Sequence, residues 1–173
     1  MKTTAILGAF LLLSSPALAQ SLGEKTGVNS VLGITPSTGD FVKEAAIGNM
    51  FEVESSKLAT EKAQGPAKDF ATQMVEDHTK TSQELKSEAK KADVSVPNAL
   101  DSSTQLKLDN LRDLSGQEFT KQYVKDQVSA HKDAVSLFQR YGKSGDNTTL
   151  RSWATTTLPT LQHHLDLAQN LEK

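Results

Sequence analysis

The run Phe70-Ala71-Thr72-Gln73-Met74-Val75-Glu76-Asp77-His78-Thr79-Lys80-Thr81-Ser82-Gln83-Glu84-Leu85 decides the fold. Phe70, Met74, Thr81 and Leu85 recur at the three-and-four spacing that lines one face of a helix. On that stripe, between Met74 and Thr81, stands His78 where an apolar side chain belongs. The anomaly repeats. The series Phe119, Tyr123, Gln127, His131, Ala134, Phe138, Tyr141 carries His131 at such a position. The series Leu150, Ala154, Thr157, Leu161, His164, Ala168, Leu171 carries His164. A further stripe, Phe41, Ala45, Gly48, Glu52, Ser55, Ala59, places Glu52 there.

Around these stripes the spacing predicts four long helices. The first starts near Thr38 to Asp40, any of which suits a cap or first turn, and runs to about Ala63. Gln64-Gly65-Pro66 closes it and opens the second, which extends to about Ala92 with its charged end (Lys80, Lys86, Lys90, Lys91) in solvent. So short a link forces the pair antiparallel. Asp93 to Gly116 is a long connection broken by Pro97, in which Asp101 or Ser102 caps a short helix bearing Leu106, Leu108, Leu111 and Leu114. The third long helix covers Gln117 to Tyr141, Gly142 to Asn147 is a turn, and the fourth covers about Thr148 to Leu171. Pro159 is expected to kink the fourth, since its ring removes a donor and crowds the carbonyl of Thr155. Two hairpins joined by a long link make an all-α, ferritin-like four-helix bundle whose crossover contains a short extra helix.

Ahead of the bundle, Met1-Lys2 followed by an apolar run from Ala5 to Leu13 and an Ala17-Leu18-Ala19 exit describes a secretory signal peptide. That run is too short to span a bilayer, which takes about 20 residues. Cleavage between Ala19 and Gln20 sends the chain to the periplasm or beyond. The expected organisation is a signal peptide over 1–19, a flexible leader rich in Gly, Ser, Thr and Asn over 20–37, and the bundle domain over 38–173. The chain of 173 residues carries 19 basic and 21 acidic residues, a net charge of −2. So mixed and mildly acidic a surface argues against nucleic acid as a partner. No later segment is apolar enough for stable membrane insertion. Absence of cysteine rules out disulfides and a lipid anchor at the cleavage site.

One histidine on an apolar face is most often a core residue bonded to a carbonyl. Here the case is collective: three imidazoles and a carboxylate, one per helix, point at a common interior. A buried carboxylate is rarely left unpaired. Facing imidazoles, Glu52 calls either for protons on them or for a metal between them. The set Glu52, His78, His131 and His164 is therefore the candidate metal site for one divalent transition ion, zinc, iron, copper or manganese. Glu52 lies 13 residues before Gly65 and His78 lies 13 after it, so the first hairpin sets them level. In the second hairpin, with its turn at about Asp146, His131 and His164 are offset by three residues, roughly 4–5 Å of helical rise. His163, about 100° away around the helix, is the weaker candidate. The competing reading is a buried Glu–His hydrogen-bonded network with water. Gln127, one turn before His131, can orient a ligand or a water. Tyr123 reads as core with its hydroxyl bonded, whereas Glu54, Glu76, Asp77 and Asp126 read as solvent-facing or flanking.

The chain resembles the exported bacterial family catalogued as domain of unknown function 4142. The resemblance rests on Phe41-Val42-Lys43-Glu44-Ala45-Ala46, on Phe51-Glu52-Val53-Glu54 with Leu58-Ala59, and on Phe70-Ala71 with Met74-Val75-Glu76-Asp77-His78. Val128-Ser129-Ala130-His131 and Leu158-Pro159-Thr160-Leu161 with His164-Leu165 complete it, so that it covers Asp40 to Leu171. It implies a ferritin-like bundle and singles out Glu52, His78, His131 and His164, without supplying an activity. The chain departs from the family pattern at Thr120, where an acid is usual. Three functions compete: a metal-binding bundle serving metal sequestration or envelope stress protection, a metal-free structural or interaction bundle of the envelope, and a non-haem metal oxidase or peroxide scavenger. A haem bundle leaves Glu52 and the third histidine unexplained, and no catalytic residues of a serine, cysteine or phosphate-loop kind stand out.

Overall fold

The computed structural model describes residue 30 and residues 32–173, so the expected signal peptide over 1–19 lies outside the described residues. Among the described residues five helices follow in order from residue 38: α1 (Thr38–Lys62), α2 (Pro66–Lys91), α3 (Ser102–Asp113), α4 (Gly116–Ser144) and α5 (Thr148–Glu172). Among the described residues there is no strand, and no helix is long and apolar enough to cross a membrane.

Local chemistry sets the helix ends. Ser37 precedes α1 in extended conformation and its Oγ accepts the Asp40 N–H at 3.2 Å, one residue earlier than the cap expected from sequence. At the α1–α2 link Gly65 holds φ +57° and ψ −144°, a conformation that glycine tolerates and other residues avoid. Pro66 then opens α2, where its missing N–H costs nothing. Asp101 caps α3 through the Thr104 N–H at 2.9 Å, and Asn147 caps α5 through the Leu150 N–H at 3.0 Å. α4 continues to Ser144 through the expected turn at Gly142. Close packing of α5 explains that glycine, since a Cβ there would stand 3.0 Å from Thr155 Oγ1. Pro159 lies within α5, which the structure assigns as helix on both sides of it.

Phe41, near the start of α1, stacks on Tyr141 near the end of α4, with ring centroids 4.0 Å apart. Phe138 and Trp153 close on the same ring edge-on, and Leu85 and Leu150 join them in one apolar cluster. A second cluster gathers Ala59, Phe70, Met74, Phe119, Tyr123, Leu111 and Ala168 at the opposite end. These pairings run α1 antiparallel to α2 and α4, and α5 antiparallel to α4 and α2. The link carrying α3 therefore travels the length of the bundle, and α3 packs over α1 and α4. Leu108 and Leu111 are buried beneath it, whereas Leu106 faces solvent. Residues ahead of α1 lie against α4: Ser30 Oγ meets Ser136 Oγ at 2.7 Å, and Arg140 donates to the Ile34 carbonyl. Each large side chain buried in the two clusters contributes about 1.5–3 kcal/mol. With stability concentrated at both ends, the layer between them is free to be polar.

Candidate metal centre

Between the apolar clusters lie Asn49, Glu52, Ser55 and Ser56 of α1, His78 of α2, Gln127 and His131 of α4, and His164 of α5, all buried. Polar groups so far from water require partners, and their hydrogen bonds can be followed atom by atom. The Asn49 amide donates from Nδ2 to the His78 carbonyl at 2.9 Å and to Ser82 Oγ. That orientation turns Asn49 Oδ1 toward His78 Nδ1, 2.8 Å away. Since Oδ1 can only accept, His78 carries its proton on Nδ1. His131 Nδ1 lies 2.9 Å from the Gln127 carbonyl, one turn earlier in its own helix, and must likewise donate. His164 Nε2 lies 2.9 Å from an Asp77 carboxylate oxygen and donates to it.

With the outer nitrogens protonated, the other three are His78 Nε2, His131 Nε2 and His164 Nδ1, each presenting a lone pair. His78 Nε2 and His164 Nδ1 stand 3.2 Å apart, and His131 Nε2 has no hydrogen-bond partner. The three rings form a near-equilateral triangle with centroids 5.2–5.5 Å apart. One nitrogen from each lies within 4.8 Å of the others. Two lone pairs facing each other across 3.2 Å repel unless a positive charge separates them. Two imidazoles on one tetrahedral zinc, at 2.0–2.1 Å each, would place their nitrogens about 3.3 Å apart.

Glu52 stands on the other side of two of these rings. Its Oε2 is 3.1 Å from His78 Nδ1, its Oε1 is 3.6 Å from His131 Nδ1, and Oε1 has no hydrogen-bond partner. Burial opposes its charge, but attraction to His78 and His131 outweighs this and lowers its pKa below the ordinary value. Burial also drives His131 toward its neutral form against the pull of Glu52. It pushes His164 down to about 4, helped by His78 and opposed by Asp77. The carboxylate thus favours a positive neighbour, while burial disfavours that charge on His131 and His164.

The four residues singled out in sequence are brought together, although only the three histidines form the tight nitrogen group. His163 is exposed. The three-residue offset of the second hairpin does not separate His131 from His164, because a rise of roughly 4–5 Å is within the combined reach of two imidazoles. Gln127 orients His131 through its backbone carbonyl, while its side chain donates to Ser55 Oγ at 2.9 Å. Tyr123 is core, its hydroxyl bonded to Ser56 at 2.9 Å. Two site residues escaped the sequence reading. Asn49 sits one turn before Glu52 and is buried, and Asp77, expected to face solvent or the helix flank, reaches across to α5. The i, i+3 relation of Asn49 to Glu52 was the available signal for the first. Thr120 is half-buried and its hydroxyl donates to the Gly116 carbonyl, at the start of α4.

The family described as a domain of unknown function, DUF4142, matches residues 23–171. The chain belongs to the DUF4142 family. No curated protein and no solved structure matches it. In this DUF4142 chain the matched span includes all five helices but for Glu172, and with them every residue of the polar layer. A cavity of about 480 Å³ adjoins that layer, between α1, α4 and α3, and reaches Asn49, Glu52 and His78.

Proposed function

We propose that this protein is an exported metal-binding bundle that holds one divalent transition ion on His78 Nε2, His131 Nε2 and His164 Nδ1, serving metal sequestration or envelope protection. The observation that carries the reading is the pattern of protons. Every outer imidazole nitrogen is committed to an acceptor, and every inner one offers a lone pair to the same small space. An orienting acceptor behind each ring is the usual arrangement for metal-ligating histidines, because it fixes the tautomer and raises ligand basicity. Glu52, expected from sequence as a fourth ligand, takes a different part in this proposal. Placed against Nδ1 of His78 and near that of His131, it offsets the cation's charge through the rings. Three neutral nitrogens suit zinc, copper, iron or manganese. Export rests on the Ala17-Leu18-Ala19 pattern, and the periplasm is the compartment proposed.

The test is a melting experiment on protein recovered from the periplasmic fraction, stripped with chelator and titrated with zinc, copper, iron(II) or manganese. A ligand that prefers the folded state adds RT ln(1 + [L]/Kd), about 2.7 kcal/mol at a hundredfold excess over Kd. Wild type should melt several degrees higher with metal, His78→Ala and His131→Ala should lose that gain, and His163→Ala should keep it. Identical melting with and without all four metals would leave the hydrogen-bonded network as the better account.

A further inference from the structure

We propose that the part of α5 beyond Pro159 is the movable wall of the centre. It swings outward on residues 155–160, carries His164 away from the other two histidines to admit the cation, and is held shut once the cation is bound. The inference rests on the metal-binding reading above and adds how the buried centre is loaded. His78, His131 and His164 are each at most 1% exposed. A hydrated ion cannot cross a packed interior, so one of the helices that carry them has to give way.

The three helices differ in their capacity to do so. Pro66 occupies the first position of α2, where no N–H is needed, and α4 holds no proline. α5 alone of the three has one in its interior, five residues before its histidine. Pro159 has no N–H to give the Thr155 carbonyl, so the ladder of backbone bonds lacks a rung there. The residues around it are weak helix formers, since Thr155, Thr156, Thr157 and Thr160 are all β-branched. Two of them turn their hydroxyls back onto the helix, Thr155 to the Arg151 carbonyl at 2.9 Å and Thr156 to the Trp153 carbonyl at 3.0 Å. Such bonds weaken a helix slightly and bend it.

The two sides of this stretch are held unequally. Before it, Trp153 packs against Phe41 and Phe138 and donates from Nε1 to Glu84, and Leu150 is fully buried. Beyond it, the buried side chains are Leu161, His164 and Ala168, of which only Leu161 is a large apolar group. Leu165, Leu167 and Leu171 are partly covered. Among the described residues, the bond that ties this part to α2 is the one from His164 Nε2 to Asp77 at 2.9 Å. Asp77 is 35% exposed, whereas Asn49 behind His78 is buried and the acceptor behind His131 is a carbonyl of its own helix. His164 is therefore the ligand whose outer bond water can replace. Few large apolar contacts and a latch open to solvent place this segment at the low end of local stability. A cation held between His164 and the histidines of α2 and α4 prefers the closed form and shifts the population toward it.

Hydrogen exchange and stopped-flow metal uptake on the chelator-treated full chain test the gate. Without metal, amides of residues 163–168 should exchange about tenfold faster than those of residues 45–59 in α1, and saturating zinc should slow them by about tenfold or more. Pro159→Ala restores the missing bond. It should slow that exchange in the metal-free protein and slow association and dissociation of cobalt(II) by one common factor of several-fold, with Kd within about twofold. Thr156→Ala with Thr160→Ala, both exposed, should act in the same direction more weakly. That pair decides the matter should Pro159→Ala alter affinity or fail to fold by circular dichroism. Wild-type uptake rates in a variant whose exchange at 163–168 has slowed overturn the gate and leave the site standing. Exchange there no faster than in α1 does the same. A wild-type protein that binds neither zinc nor cobalt(II) overturns the site itself and the gate with it.

Discussion

His164 shows how a single side chain is committed from both sides. Its Nε2 is held by Asp77 at 2.9 Å while Nδ1 faces His78. Removing the acceptor frees the ring to rotate and to shift its proton, so Asp77→Ala should weaken metal binding about 10- to 100-fold. Competition against a chromogenic chelator measures this, with the exposed Glu76→Ala as control. Equal affinities would show that Asp77 does not orient the ring. Because Asp77 is 35% exposed, its loss should cost the metal-free protein no more than about 1 kcal/mol. The same imidazole makes stability depend on pH. Its folded value of about 4 lies below the ordinary 6.5, so between these values the unfolded chain binds more protons. Stability of the metal-free protein should therefore fall as pH drops through this window, by on the order of 2 kcal/mol at pH 5. Glu52, lowered in the folded state, acts in the same direction further down: its contribution is present above the ordinary carboxylate value and lost as pH falls through the folded one. Urea midpoints at pH 7 and pH 5 decide it, and His164→Gln should flatten the difference. The histidines were legible because each breaks an apolar stripe. Asp77 was not, since it lies off its helix's stripe and its role depends on where α5 passes.

At the scale of the helix, α1 keeps a glycine at mid-length with no backbone need for it. Gly48 does not hold a positive φ, and a Cβ would touch nothing within 4 Å. Glycine inside a helix costs roughly 0.5–1 kcal/mol relative to alanine through the freedom it loses on folding. Gly48→Ala should thus raise the urea midpoint by a corresponding amount, with metal affinity unchanged. A destabilised variant would mean that the space beside Gly48 is filled by something that alanine displaces. Helix existence was readable throughout, because long stripes at period 3.6 admit one interpretation. The ends were less so. Gly142 read as a turn, yet α4 continues through it because the glycine's role is to admit Thr155 of α5. A tertiary contact of that kind leaves no mark on the periodicity of either helix. The cap at Ser37 was displaced by one residue, since Ser37, Thr38 and Asp40 are all capable acceptors and only the backbone angle at Ser37 selects among them.

Taken whole, the bundle packs four long helices around a nitrogen-rich centre, and the donor set at that centre limits the chemistry. Di-iron sites in ferritin-like bundles draw a Glu-x-x-His pair from each of two helices and a further Glu from each of the other two. Those carboxylates bridge two cations and neutralise their charge. Here the residues three before His78, His131 and His164 are Val75, Val128 and Leu161, none of which can bridge. The acids elsewhere on the helices do not replace them. Glu54 and Glu76 are exposed, and Asp77 is engaged with the outer nitrogen of His164. Glu52 alone would face two divalent ions, and it stands nearest the protonated nitrogens of His78 and His131. Placing a second cation within about 4 Å of the first in a low-dielectric interior, with one carboxylate between them, leaves a large uncompensated repulsion. One metal per chain is what this layer can balance. Aerobic addition of iron(II) should accordingly produce no oxidation beyond that in buffer and no mineral core, and titration should saturate at a single equivalent. Rapid saturable oxidation with two irons per chain would require Asp77 to release His164 and swing inward. In that event Asp77→Ala would abolish the second equivalent while sparing the first.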